Sequence, residues 1–103
     1  PKGSHGYAVY LGEKLVGIFE YYTVDKVMEI ALALNPELVG KGLGKEFLLQ
    51  GIEFGINQFK YEKEFIKLEV DEDNTSAIKT YLGAGFSEYK RKHKNIYMKK
   101  YLK

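Results

Sequence analysis

Val39-Gly40-Lys41-Gly42-Leu43-Gly44-Lys45 is the stretch whose reading decides the fold. Three glycines let the backbone come close to a ligand, and a helix beginning near Leu43 aims its free N–H groups and positive dipole end at any anion held there. The loop is built for a diphosphate. A Walker A loop would need Ser or Thr after Gly44-Lys45, where Glu46 stands. A dinucleotide fingerprint starting at Gly40 or Gly42 would need its third glycine at Lys45 or Phe47. Both nucleotide readings fail on spacing.

Downstream of the loop, Leu43, Phe47, Leu48, Ile52, Ile56 and Phe59 recur at helical spacing, with Lys45, Glu46, Gln50, Glu53 and Lys60 mostly on other faces. Upstream, residues 7–11 and 15–22 read as two strands joined by a tight turn at Gly12-Glu13-Lys14. Residues 27–34 form a mostly apolar third run, expected to be a strand buried on both faces and ended by Pro36. Residues 64–70 read as a fourth strand, followed by the acidic turn Asp71-Glu72-Asp73-Asn74. Asn74 or Thr75 caps a second helix running to about Leu82, which Gly83-Ala84-Gly85 terminates. Residues 86–91 and 95–102 close the chain as a strand pair. The expected fold is α+β, in the order β-β-β-α-β-α-β-β, with a mixed, mainly antiparallel sheet flanked by helices.

A chain of 103 residues makes one domain with one core. With 45% hydrophobic and 29% charged residues it has the balance of a globular protein, not of a disordered one. No apolar run reaches the roughly 18–20 residues that span a bilayer, so no membrane partner is expected. The absence of cysteine excludes a disulfide framework and a thiolate nucleophile, and the expectation is a cytoplasmic protein. A formal charge of +2 gives a weak overall field and no expectation of nucleic acid. The basic tail, Lys90, Arg91, Lys92, His93, Lys94, Lys99, Lys100 and Lys103, is better explained as an edge-strand guard against aggregation than as a surface for RNA. Pro1-Lys2-Gly3-Ser4-His5-Gly6 reads as a loop or a vector remnant. His5 and His93 lack the carboxylate spacing of a metal site or a triad, and no metal is expected.

Two motifs give the chain its resemblance to the GNAT superfamily of acetyl-CoA-dependent N-acetyltransferases. The family pattern Val-x-Pro-x-x-Arg/Gln-Gly-x-Gly-x-Gly/Ala is matched by Leu34-Asn35-Pro36-Glu37-Leu38-Val39-Gly40-Lys41-Gly42-Leu43-Gly44. The later pattern of Leu-Glu-Val, an acidic turn, Asn-x-x-Ala and Tyr-x-x-x-Gly-Phe is matched by Leu68-Glu69-Val70, Asn74, Ala77 and Tyr81 through Phe86. Together they cover residues 27–86, the cofactor half of a single 1–103 domain. Two departures stand out. Val39 replaces the usual Arg or Gln, which leaves phosphate binding to backbone amides. The family's first strand and two following helices have no counterpart before Tyr7, so the chain is either part of a longer one or has the gap covered by a second subunit, as in a homodimer.

The resemblance implies an N-acetyltransferase that moves acetyl from acetyl-CoA to a primary amine of a small molecule or protein by direct attack. The alternative is a non-catalytic acyl-CoA-binding or regulatory module. The glycine loop, Val39, Gly40, Lys41, Gly42, Leu43, Gly44 and Lys45, would cradle the pyrophosphate, with both lysines adding charge attraction. Leu32, Ala33 and Leu34 would pair with the pantetheine arm through main-chain groups, and Asn74 would cap its helix or bond that arm. Glu69 occupies the position of a general base, with Glu29 on the preceding strand as its competitor. Tyr81 stands where the family presents a phenol to the sulfur as general acid.

Overall fold

The computed structural model describes residues 4–38 and 42–102. Alternating side chains along six strands give one sheet with a dry face and a wet one. β1 (Ser4–Leu11) and β2 (Lys14–Val24) form an antiparallel hairpin, and β3 (Val27–Leu34) lies antiparallel to β2. A single 3-10 turn, Pro36–Leu38, leads toward the glycine loop, and α1 (Gly44–Phe59) follows it. β4 (Phe65–Asp71) runs parallel to β3, α2 (Thr75–Gly83) follows, and β5 (Ser87–Lys92) and β6 (Asn95–Tyr101) close the sheet in the spatial order β1-β2-β3-β4-β6-β5. The element order expected from the sequence is the one found.

Two-residue turns hold the hairpins in register. Asp25 and Lys26 both take left-handed dihedrals (φ 52° and 68°), the geometry that matches strand twist between β2 and β3. His93 (φ 58°) does the same between β5 and β6, as expected for a turn residue. β5 is exposed throughout and forms an edge, which is where Lys90, Arg91 and Lys92 of the basic tail sit.

Two expectations need correction. Residues 4–6 are strand, not loop: Ser4, His5 and Gly6 pair with Tyr22, Tyr21 and Glu20, because β2 runs on to Val24 and offers them backbone partners. The His5 ring packs on Phe59 with centroids 5.2 Å apart. Pro1, Lys2 and Gly3 lie outside the described residues. β3 is buried on one face only, with Met28 and Ile30 inside and Ala31 and Ala33 exposed. Its apolar composition misleads because alanines occupy the open side, where small size rather than burial is what matters.

The core lies between the dry face and both helices. Phe19, Tyr21, Met28, Ile30, Ile66, Leu68, Val70, Ile96 and Met98 supply the sheet side, and Phe47, Leu48, Ile52 and Tyr81 the helix side. Glycines set the approach of α1 to β2. A Cβ on Gly51 would run into the Phe19 ring, and one on Gly55 into the Tyr21 ring. One on Gly17 would meet the Phe47 ring and the Ala33 carbonyl, each at 2.6 Å. Phe19 and Phe47 stack at 4.2 Å, and the Tyr21 hydroxyl donates to the Gly51 carbonyl at 2.6 Å. Burial pushes the Tyr21 pKa up to about 12, with a smaller contribution from Tyr7.

Gly51→Ala should therefore destabilise the protein although alanine is the better helix former. The propensity gain of about 1 kcal/mol is outweighed by overpacking of roughly 1–3 kcal/mol, plus the displaced Tyr21 hydrogen bond. Urea denaturation should register a net loss, and a more stable variant would refute the packing account.

Candidate active site

β3 and β4 share a single register pair, Glu29 with Lys67, and beyond it the two parallel strands diverge. Residues 31–34 thus keep β2 on one side and have no strand partner on the other. Backbone N–H and C=O groups left in this way call for another partner. The divergence opens the middle of the sheet, and a cavity lies on either side of it.

The larger cavity, about 600 Å³, lies on the helix side. Leu32, Ala33 and Leu34 of β3, Gly42, Gly44 and Lys45 of the loop and helix start, and Asn74, Ser76, Ala77, Thr80 and Tyr81 of α2 line it. Seven of the residues singled out from the sequence for cofactor binding meet here, joined by Tyr81. Leu43 precedes the helix and is exposed without lining the cavity. Val39, Gly40 and Lys41 lie outside the described residues.

The start of α1 is shaped for an anion. Leu43 at the N-cap offers no side-chain hydrogen bond, and the first closing bond is Phe47 N–H to the Leu43 carbonyl at 3.0 Å. The amides of Gly44, Lys45 and Glu46 precede that bond and are left for a ligand. Gly42 has φ 75°, a conformation that favours glycine, and among the described residues nothing stands within 4 Å of the point a Cβ would occupy. This donor set fits a pyrophosphate. Across the cavity, the Asn74 side-chain Oδ1 accepts from Ala77 N–H at 3.3 Å, the expected cap, which leaves the side-chain NH2 as a donor for the cavity. Lys100 closes the other end of α2, donating to the Ala84 carbonyl at 2.7 Å, where a cation opposes the negative dipole end.

Tyr81 is buried against Phe86, and burial raises its phenol above the usual tyrosine value. The group is therefore a protonated donor throughout the neutral range. Glu69 does not share this cavity. It lines the smaller one, about 350 Å³, together with Tyr22, Glu29, Ile30, Ala31, Val70, Asp71 and Asn95. Strand alternation puts Glu29, Ala31, Glu69 and Asp71 on the helix-free face, so the two cavities approach the gap from opposite sides. Partial burial and, after it, the carboxylates of Glu20 and Glu29 raise the Tyr22 phenol. Tyr22, Asp71, Asn95 and Thr80 escaped the sequence reading, because only the β3–β4 pairing and the helix packing bring them to the cavities.

The family model for the acetyltransferase (GNAT) family matches residues 1–86. The chain belongs to that family. No curated protein matches it in sequence. Among solved structures, the GNAT domain described here is similar to the Campylobacter jejuni N-acetyltransferase PseH, at 21% identity over 97% of this chain and 69% of that one, with a TM-score of 0.83. PseH has also been solved in complex with acetyl coenzyme A. A variant of the Vibrio cholerae spermidine N-acetyltransferase SpeG aligns at 19% identity over 95% of this chain and 65% of that one, with a TM-score of 0.80. The PaiA N-acetyltransferase of Thermoplasma acidophilum, in complex with coenzyme A, aligns at 22% identity over 95% and 60%, with a TM-score of 0.77. Identities this low speak for the fold, and the chain spans about two thirds of the length of these proteins. Membership of the family makes acetyl-CoA the co-substrate and acetyl transfer to an amine the reaction.

Gly42→Val tests the cradle. A branched side chain at φ 75° costs roughly 1–2 kcal/mol and fills the ligand's space. Calorimetry should record at least about a tenfold loss of acetyl-CoA affinity while the melting transition stays cooperative. Unchanged affinity would reduce the loop to a helix start.

Proposed function

We propose that the protein transfers acetyl from acetyl-CoA to a primary amine by direct attack, with Glu69 as general base and Tyr81 as general acid. One observation carries this reading: two cavities reach the β3–β4 gap from opposite sides, one lined by Glu69 and the other by Tyr81. Acetyl-CoA supplies the activated thioester. Glu69, directly or through a water, takes a proton from the acceptor ammonium and leaves the nitrogen lone pair free to attack. Unpartnered N–H groups along residues 31–34 support the polarised carbonyl oxygen, as fixed backbone donors do in acyl transfer. As the C–N bond forms and the C–S bond breaks, the Tyr81 hydroxyl gives its proton to the departing sulfur. The attacking nitrogen loses its second proton to solvent, solvent reprotonates the Tyr81 phenolate, and Glu69 releases the first proton, so one proton is set free overall. The products are the amide and the free thiol. No step forms a bond to the protein, which has no cysteine to hold an acyl group.

Lys45 and the amides at the start of α1 hold the pyrophosphate, and Leu32, Ala33 and Leu34 hold the pantetheine arm through their main chain. Val39, Gly40 and Lys41 complete the cradle in this reading. Ligand binding to the native state alone raises its melting temperature by mass action. Acetyl-CoA should therefore stabilise the protein, and a coenzyme fragment lacking the pyrophosphate should do so much less. A melting temperature indifferent to saturating acetyl-CoA would sink the assignment.

The chemistry has its own test. Tyr81→Phe should lower kcat by at least about tenfold, within the ~10²–10⁴-fold range of acid–base catalysis, while acetyl-CoA affinity is nearly kept because the ring still packs. Burial raises the phenol, so wild-type kcat should hold its acid-dependent limb beyond the ordinary tyrosine range, and Tyr81→Phe should lack that limb. Glu69→Gln should lose most activity near neutral pH and recover part at high pH, where more of the amine is already neutral. Pre-steady-state kinetics must first establish that chemistry limits turnover. Wild-type rates in both variants would leave an acyl-CoA-binding module.

A further inference from the structure

The smaller cavity carries more carboxylate than one base requires. Glu29, Glu69 and Asp71 line it, Tyr22 and Asn95 add neutral polar groups, and among the described residues neither lysine nor arginine contributes. The ion pairs found among the described residues involve Glu37, Glu72 and Glu88, and none reaches the cavity acids. Lys67, the register partner of Glu29, turns its ammonium away, over the rings of Phe65 and Tyr89 at 5.9 and 5.4 Å. Among the described residues these acids are not grouped tightly enough to hold a metal ion. A spread of unneutralised carboxylates in a cavity of about 350 Å³ calls for an extended organic cation.

The three acids are not equivalent. Asp71 already accepts the Asp73 N–H at 2.8 Å, which ties one oxygen to the turn. Glu69 faces the gap as the base. Glu29, on the opposite wall, has no side-chain partner among the described residues and stands beside the Tyr22 phenol. We propose that the acceptor is a di- or oligoamine, with one nitrogen presented to Glu69 for acetylation and a second, still protonated, held by Glu29 with help from Asp71. The proposal rests on reading this cavity as the acceptor side of the acetyl transfer. Glu29 is then a specificity residue, because it recognises the charge that distinguishes a diamine from a monoamine of equal length. Nothing is oxidised or covalently altered at the second nitrogen, which keeps its proton throughout.

Three acceptors of matched length test it: 1,4-diaminobutane, butylamine and 4-aminobutyrate. The wild-type kcat/KM for the diamine should exceed that for butylamine by at least about fivefold, the size of one part-exposed ion pair, and 4-aminobutyrate should be poorest. Glu29→Gln should shrink the diamine-to-butylamine ratio by about fivefold, chiefly through KM, and Glu29→Asp should restore part of it. A ratio near one in the wild type, a preference for 4-aminobutyrate, or a ratio unmoved by Glu29→Gln would overturn the proposal. Calorimetric titration of 1,4-diaminobutane into the coenzyme A-bound protein separates its failure from that of the reaction. Binding that Glu29→Gln abolishes, without turnover of any amine, would uphold the recognition and refute the chemistry. Absence of diamine binding would refute the recognition even if butylamine is acetylated.

Discussion

The packing of Phe19 and Tyr21 against the glycine faces of α1 is the contact on which the rest of the molecule depends. Side chains at Gly51 and Gly55 would hold the helix off the sheet, and Gly17 gives Phe47 its place on the same seam. Once α1 is seated at this distance, its first turn falls beside the free side of β3. The amides at Gly44, Lys45 and Glu46 are then aimed at the gap between β3 and β4, where a phosphate group can reach them. A packing decision in the middle of the helix thus sets the position of an anion site at its end.

The divergence of the two central strands separates charges of opposite sign. On the helix side, free amides, a helix dipole and Lys45 favour an anion. On the open side, three carboxylates favour a cation. The two regions adjoin at residues 31–34, with Ala31 lining one cavity and Leu32, Ala33 and Leu34 the other. In the proposed reaction an anionic thioester and a cationic amine are each drawn to their own side, and their reacting atoms meet between the two.

Much of this was legible in the sequence because it is written in local patterns. The 3.6-residue spacing from Leu43 to Phe59, the Asn74 cap and the two motifs locate α1, α2 and the larger cavity without any knowledge of the sheet. The one-sided burial of β3 was not legible, since an alternation of alanine with larger apolar residues looks like a strand buried on both faces. Nor was the pairing of Ser4, His5 and Gly6, whose residues have little strand preference and are ordered by the length of β2. The acidic cavity was hardest to foresee. Tyr22, Glu29, Glu69, Asp71 and Asn95 come from four strands, and only the parallel β3–β4 register makes them neighbours.

That register has one more consequence. Two three-stranded halves, β1-β2-β3 and β4-β6-β5, share a single ladder pair, although β3 and β4 lie close to one another beyond it and α1 also packs on α2. Few backbone hydrogen bonds cross such a seam, which lowers its local resistance to opening. A pantetheine arm bonded to the free side of β3 and packed against α2 would act as a brace across that seam. The acidic cavity draws walls from both halves and gains a fixed shape once the brace is in place. In the proposed reaction acetyl-CoA is thereby the leading substrate, and the amine enters a site that its partner has finished building.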